Sequence, residues 1–145
     1  RLRESMMASV RSGGWSASGL TFAAAQRIMA DGTVAELVRR KRIDARARQR
    51  LAADRLSGFD IQSNENGFHL WLTLPPHWRS QSFVVAAARR DIALTPSTTF
   101  AVMPGHAPNA VRLALATPTM DQLDSGLRTL AGMLNAREEH LYSTE

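Results

Sequence analysis

The spacing of apolar residues changes near residue 58, and this change constrains the fold more than any other feature of the sequence. Before it, residues 33–56 follow a helical pattern that opens with Thr33-x-x-Glu36, the signature of a capping box, and stops at Ser57-Gly58. After it, apolar and polar residues alternate, as in a strand with one buried face. Helices followed by strands favour an α+β fold.

The alternating region predicts a hairpin and two further strands. The sequence NENG, with Asn66-Gly67 as the turn signal, separates a strand in FDIQS from a strand in FHLWLTLPP. In the longer strand, alternation separates two faces: Phe68, Leu70, Leu72 and Leu74 on one, and His69, Trp71 and Thr73 on the other. A short helix is predicted within residues 80–91, a strand at residues 92–95 and, after a loop containing three prolines, a strand at residues 110–116.

The last helix has the clearest amphipathic pattern. Thr119-x-x-Gln122 predicts a second capping box, and one stripe follows it, formed by Leu123, Leu127, Leu130 and Leu134. We therefore expect a mostly antiparallel sheet with helices covering one face. Helices are also predicted at residues 1–12 and 20–30, before the long helix, and the polar tail from residue 137 is expected to be frayed.

The centre of the long helix, RRKRIDARARQR, is almost entirely charged, and the chain carries a net charge of +5. Clustered arginines neutralise phosphates, so an arginine-rich nucleic-acid-binding module is one interpretation. Interleaved Glu36, Asp44 and Asp54, without aromatic residues for stacking, favour a solvated helix that connects two packed bodies.

Arg112 stands in the apolar strand AVRLALA, and its guanidinium cannot lose its charge. Val111, Leu113 and Leu115 share the face that would pack on the last helix, which places Arg112 on the opposite face. Spacing alone leaves two interpretations open. Arg112 lies either on a solvated sheet face or on the floor of a site, where its fork meets a carboxylate.

Several other functions lack sequence support. The chain has no cysteine, and its histidines have no partners at metal-ligand spacing, so neither disulfides nor a metal site is expected. It contains no GxSxG, no HExxH and no phosphate-binding glycine loop with a lysine. No apolar run reaches the length of a membrane span and no signal peptide is evident, which fits a cytoplasmic protein.

The order of motifs resembles the C-terminal part of a fold-type I aminotransferase, and most closely the aminotransferase-like domain of MocR-type regulators, a branch of the GntR transcriptional regulators. The segments that carry this resemblance are GGWSASGL, DGTVAELVRRKRIDARARQRLA, GFHLWLTLPPHW, PSTTF and AVRLALA. They span essentially the whole chain in the family's order. One departure is Gly19, where the family often has proline.

The resemblance implies a division of the chain and a role for Arg112. Residues 1–31 would end a large domain, residues 32–58 would form the connecting helix, and residues 59–145 would form the small α+β domain. The arginine of the late VRL strand binds the α-carboxylate of the substrate in this family, which implies that role for Arg112. Trp15 and Ser16 would lie near a dimer interface or the neighbouring pocket. His69 and Trp71 share a face that could border the same site.

The family uses pyridoxal phosphate, which requires a lysine for the imine. Lys41, the only lysine among eighteen basic residues, lies within the polar helix and matches no lysine motif of the family. We therefore expect the chain to be the C-terminal piece of a longer parent, to lack the cofactor by itself and to be unable to transaminate. The parent would pair this piece with its own large domain, form a homodimer, bind an amino-acid-like effector or substrate, and contact DNA only through a separate N-terminal domain. A genuine pyridoxal phosphate aminotransferase is the alternative parent.

Overall fold

The computed structural model describes residues 18–103 and 105–136. The chain divides into two compact units at Arg39–Arg40, within the long helix. The predicted helix at residues 1–12, Trp15 and Ser16, and the tail from residue 137 lie outside the described residues. The elements in chain order are α1 (Gly19–Ala30), α2 (Thr33–Arg55), β1 (Ile61–Ser63), β2 (His69–Thr73), α3 (Ser80–Ala88), β3 (Thr95–Pro96), a 3₁₀ helix (Ser97–Phe100), β4 (Ala110–Ala114) and α4 (Met120–Asn135).

The first unit contains α1 and the first turns of α2. The Ser18 side chain caps α1 by accepting a hydrogen bond from the Thr21 amide. At α2 the capping differs from the prediction. Thr33 is already the first helical residue, and its amide donates to the carboxylate of Asp31 over 2.9 Å. The Glu36 carboxylate accepts from the Arg39 guanidinium instead. An aspartate two residues earlier thus takes the capping role that the motif assigned to Thr33.

The second unit holds a four-stranded sheet in the order β1-β2-β4-β3, antiparallel throughout. This agrees with the predicted α+β fold. The β1–β2 turn lies where it was expected, but its chemistry differs. The Gly67 amide donates to the Asn64 carbonyl, and the Asn66 amide donates to the Asn64 side chain. Gly67 does not have a positive φ, so Asn64 rather than Asn66-Gly67 stabilises the turn.

One face of the sheet packs on α3, α4 and the C-terminal half of α2. Trp78 and Phe83 are fully buried at the centre, with their ring centroids 5.1 Å apart at 79°. Around them lie the inward residues that alternation predicted in β2 and β4 and the leucine stripe of α4: Leu70, Leu72, Leu74, Val111, Leu113, Leu115, Leu123, Leu127, Leu130 and Leu134. The capping box at Thr119 and Gln122 is present as predicted.

The second half of α2 is attached to the sheet more firmly than its charged sequence indicated. Ala45, Gln49 and Ala52 are buried, which gives this part of the helix a narrow contact face of small residues. The Gln49 amide donates to the carbonyls of Gly67 and His69 over 2.8 and 3.0 Å. Most residues of α2 are exposed, as expected, but this part of the helix also packs on the sheet, which the prediction of a helix connecting two packed bodies did not include.

The edge strand β3 is shorter and later than predicted. Residues 92–94 are not in a strand, and β3 consists of Thr95 and Pro96. Asp91 has a φ of 59°, which turns the chain before the sheet. Pro96 has no amide hydrogen for a further ladder bond, and proline is tolerated at a sheet edge for this reason. The 3₁₀ helix that follows was not predicted, and β4 ends at Ala114 instead of Ala116.

Candidate functional site

Arg112 lies at the centre of β4, on the sheet face opposite the leucine core. In the strand register it faces Trp71 of β2 on one side and Thr95 of β3 on the other. Its neighbours Val111 and Leu113 are buried on the other face, as the alternation predicted. The interior position of β4 thus places one cation between two flanking strands.

One aromatic ring lies over the Arg112 guanidinium, and a second ring packs on the first. The Arg112 Cζ lies 4.8 Å from the centroid of the Phe100 ring, at the end of the 3₁₀ helix. Phe100 in turn meets Trp71 edge to face, with centroids 5.4 Å apart and an interplanar angle of 75°. We call these three side chains, Arg112, Phe100 and Trp71, the arginine–aromatic cluster. The Phe100 ring thus presents its electron-rich face to the Arg112 cation.

The arginine–aromatic cluster leaves part of the cation without a polar partner. Arg112 is half-buried, and its Nε is buried with no hydrogen-bond partner within residues 18–103 and 105–136. No ion pair of Arg112 is present in that part of the chain either. A buried donor without a partner costs about 1–3 kcal/mol. These observations favour the floor of a site over a freely solvated arginine, because water would satisfy a solvated guanidinium.

Two other predicted site residues, Trp71 and His69, lie on β2. Trp71 belongs to the cluster, whereas His69 is exposed, two residues along β2 and opposite Ala114. No contact joins His69 to Arg112 among the described residues. Sequence reasoning did not single out Phe100, although PSTTF was one of the resembling segments.

An ion pair of the second unit connects α2 to α4. Arg55 of α2 donates to Asp124 of α4, and Arg128 contacts the same carboxylate. The hydrogen bond from Arg55, followed by that from Arg128, holds the pKa of Asp124 below its ordinary value.

Three arginines of the basic segment have partners within the chain. Arg39 pairs with Glu36, Arg46 with Glu65 and Arg48 with Asp44. These ion pairs reduce the positive charge available for a polyanion.

The chain does not fit a pyridoxal phosphate site. Lys41, the only primary amine among the side chains, is exposed on α2, and its Nζ lies over the Phe68 ring at 5.7 Å from the centroid. This contact stacks the amine against the residue before β2, and Lys41 is not part of the arginine–aromatic cluster. In the described part of the chain, no lysine amine therefore lies beside Arg112 to form an imine.

A concave region lies between the segment at residues 90–94, the end of β4 and α4. This cleft has a volume of about 680 Å³ and is lined mainly by apolar side chains, including Ile92, Leu94, Leu113 and Leu127. Arg112 is not among its lining residues. In the described part of the chain, no three acidic, histidine or cysteine side chains are grouped to hold a metal ion, and no helix is both long and apolar enough to cross a membrane.

Comparison with known proteins agrees with the α+β fold. Residues 4–130 match the family described as aminotransferase class I and II, and the chain belongs to that family. An archaeal alanine:glyoxylate aminotransferase is similar in structure, with a TM-score of 0.66 and 17% identity over 86% of this chain and 32% of the other. The α-aminoadipate aminotransferase of Thermus thermophilus, complexed with N-(5'-phosphopyridoxyl)-L-leucine, is also similar in structure. Its TM-score is 0.63, with 22% sequence identity over 81% of this chain and 30% of the other.

A third similar structure is the kynurenine aminotransferase of Pyrococcus horikoshii, with a TM-score of 0.55 and 22% identity over 67% of this chain and 24% of the other. The chain thus spans about a third or less of the length of these structures. At these identities they establish the fold, which is that of a fragment of a fold-type I aminotransferase. No curated protein matches the chain significantly in sequence.

Proposed function

We propose that this chain is the C-terminal part of an aminotransferase-like ligand-binding domain in a MocR-type transcriptional regulator, and that Arg112 binds the carboxylate of an amino-acid-like effector. The proposal rests on the environment of Arg112, which is half-buried. Its Nε is buried without a hydrogen-bond partner, and no carboxylate pairs with its guanidinium in the described residues. A guanidinium fork matches a carboxylate with two parallel hydrogen bonds. Such a ligand would supply the charge that the chain lacks at this point.

The chain's own residues would bind and orient the ligand without performing chemistry. The fork of Arg112 would fix the carboxylate, and Trp71 and Phe100 would limit the water around the ion pair. A partly dry environment strengthens that attraction. In the longer parent, pyridoxal phosphate would supply an electrophilic carbonyl group from another part of the protein. We propose that the parent is a cytoplasmic homodimer whose DNA contacts come from a separate N-terminal domain.

A genuine pyridoxal phosphate aminotransferase is the second candidate parent. It is favoured by the three similar structures described above, each of which is an aminotransferase. The regulator is favoured by the combined sequence pattern from GGWSASGL to AVRLALA. The sequence that precedes residue 1 in the parent distinguishes them. A winged helix-turn-helix and a linker indicate a regulator, and a directly preceding large domain without them indicates an enzyme.

The carboxylate role is tested by calorimetry on the parent with cofactor bound, using amino acids as ligands. Arg112→Ala is expected to weaken binding by about 2–5 kcal/mol, as for the loss of one partner of a desolvated charge pair. Arg50→Ala is the matched control, because it removes an exposed arginine on α2. Unchanged affinity in Arg112→Ala, with cofactor still bound, would refute the assignment.

The remaining interpretation, an arginine-rich nucleic-acid-binding module, has a direct test on this chain. Binding through phosphates weakens steeply as salt rises. Because Arg39, Arg46 and Arg48 have internal partners, we expect no measurable binding to duplex DNA or RNA in a fluorescence titration at low salt. Tight, salt-dependent binding would instead support the nucleic-acid function.

A further inference from the structure

Phe100 is the described residue that contacts both other members of the arginine–aromatic cluster. Its ring lies 4.8 Å from the Arg112 Cζ, and Trp71 meets it edge to face at 5.4 Å. We propose that Phe100 is a positioning residue, whose ring face holds the Arg112 guanidinium in the orientation that receives a carboxylate. The proposal rests on the carboxylate-binding role proposed for Arg112 and extends it to a residue with no assigned role.

The backbone that carries Phe100 is fixed at its start. The 3₁₀ helix follows β3 directly, and its first residue, Ser97, is 2% exposed. The Ser97 hydroxyl donates to the Pro108 carbonyl, which ties the helix to the segment entering β4. The Thr98 carbonyl accepts from the Ala101 amide, which closes the last turn. The ring is therefore presented from a tethered turn next to the strand that carries Arg112.

Burial alone does not account for this position of the ring. Phe100 remains 45% exposed, so much of its apolar surface gains nothing from the core. Besides Trp71, it contacts a cation whose Nε has no hydrogen-bond partner in the described chain. A long, flexible arginine side chain loses considerable rotamer freedom when it is held in one orientation. An aromatic face can hold the planar guanidinium by electrostatic attraction and leave the outer edge of the fork free for a ligand.

The role of Trp71 in this arrangement is to hold the ring of Phe100. It lies directly opposite Arg112 in the β2–β4 register, so both side chains leave the same face of the sheet. The angle of 75° between the two rings is an edge-to-face contact, which is favourable for aromatic pairs. The three side chains therefore form an ordered sequence in which the sheet fixes Trp71, Trp71 orients Phe100, and Phe100 orients Arg112.

The test separates the electrostatic effect of the ring from its size. The chain is prepared with Phe100→Leu, with Phe100→Tyr, and with phenylalanine analogues of increasing fluorination at position 100. The Arg112 Nε–Hε resonance is assigned by its disappearance in Arg112→Lys and is followed by NMR during titration with acetate at constant ionic strength. Fluorination weakens the negative face of the ring with little change of shape, whereas Tyr retains that face.

We expect Phe100→Leu to weaken the acetate response of Arg112 by about two- to fivefold, the factor that corresponds to an exposed cation–π contact. Phe100→Tyr should restore the response, and affinity should fall steadily along the fluorination series. The Arg112 resonance should also lose its ring-current shift in Phe100→Leu. Equal acetate affinity in Phe, Leu and fluorinated chains would overturn the proposal, as would a resonance that does not move in Phe100→Leu.

The same titration distinguishes this proposal from the proposed function. If Arg112 of the unmodified chain responds to acetate and the variants at position 100 respond equally, Arg112 keeps its role and the positioning role of Phe100 is wrong. If Arg112 of the unmodified chain does not respond, the carboxylate-binding function fails, and the positioning proposal fails with it.

Discussion

Arg48 joins α2 to the chain just after β4, and its replacement should lower the stability of the second unit by an amount that the structure allows us to calculate. Arg48 is 11% exposed, and its Nη1 donates to the carbonyls of Leu115 and Pro118 over 2.6 and 2.7 Å. Its Nε donates to Asp44 on the same helix over 2.9 Å. These contacts join the connecting helix to the chain just after β4, so we expect Arg48→Met to destabilise the second unit.

The magnitude follows from the bonds that are lost. A hydrogen bond to a charged donor contributes roughly 1.5 kcal/mol at the lower end, and two partly buried hydrogen bonds of this kind are lost. The Asp44 pair adds only about 0.3–0.5 kcal/mol, because it is an i,i+4 pair whose carboxylate is exposed. Methionine keeps most of the apolar stem. Together these contributions predict a loss of about 3 kcal/mol, or roughly 10 °C in melting temperature for a domain of this size.

The assay is urea unfolding followed by circular dichroism, with Arg46→Met as the matched control. Arg46 is on the same helix but is 45% exposed and pairs only with Glu65 over 3.3 Å. The control should change stability by less than about 0.5 kcal/mol. The proposed role of Arg48 is refuted if Arg48→Met lowers the free energy of unfolding by less than about 1 kcal/mol, or by no more than Arg46→Met does. This holds if the slope of that free energy with urea concentration is unchanged.

Three further outcomes are expected. Because Arg55 holds the pKa of Asp124 below its ordinary 3.8, their pair stabilises the fold above that pH and loses its contribution as the pH falls through 3.8 and then through the lower folded value. Acid titrations of stability should therefore show the wild type and Asp124→Asn converging at low pH, and a constant gap would contradict this. Thr119→Ala should cost about 1 kcal/mol by removing the capping box of α4, with Thr119→Ser as the control that keeps the hydroxyl, in thermal unfolding. Gly126→Ala should stabilise α4 by about 0.5–1 kcal/mol in the same assay, because nothing lies within 4 Å of the added methyl group; a lower melting temperature would show that the helix or cleft cannot accept it.

The alternation of β2 and β4 was sufficient to predict the sheet and the face of Arg112. Leu70, Leu72, Val111 and Leu113 are buried as expected, because a period of two leaves a strand no other way to bury them. The capping box of α4 was equally readable, since its two partners lie three residues apart. The buried face of a strand and a capping box each depend on residues that are close together in the sequence, so local sequence patterns predict them.

The attachment of α2 was not predictable from local pattern. Gln49 and Arg48 read as polar residues of a solvated helix, yet their partners are carbonyls 18 to 70 residues further along the chain. A long polar side chain reveals its partner only when the tertiary fold is known. The small residues Ala45 and Ala52 carry little hydrophobic signal, although their size is what allows the helix to approach the sheet.

The arginine–aromatic cluster was predicted in part for the same reason. Alternation placed Arg112 and Trp71 on one face, and the register puts them directly opposite each other. Phe100 comes to Arg112 through a 3₁₀ helix in a loop that sequence patterns left irregular. The domain boundaries proposed at residues 31 and 58 remain predictions, as do the roles of Trp15, Ser16 and His69.

We propose that Arg112 is an anion-binding group whose guanidinium binds a carboxylate. The most direct test of this proposal is an NMR titration of this chain with acetate at constant ionic strength, compared with acetamide, which has the same shape and no charge. We expect a saturable shift of the Arg112 guanidinium resonances with acetate, little response to acetamide, and no comparable shift of the exposed Arg50. Equal responses to acetate and acetamide, or an Arg112 shift no larger than that of Arg50, would show that Arg112 is not a specific carboxylate-binding group.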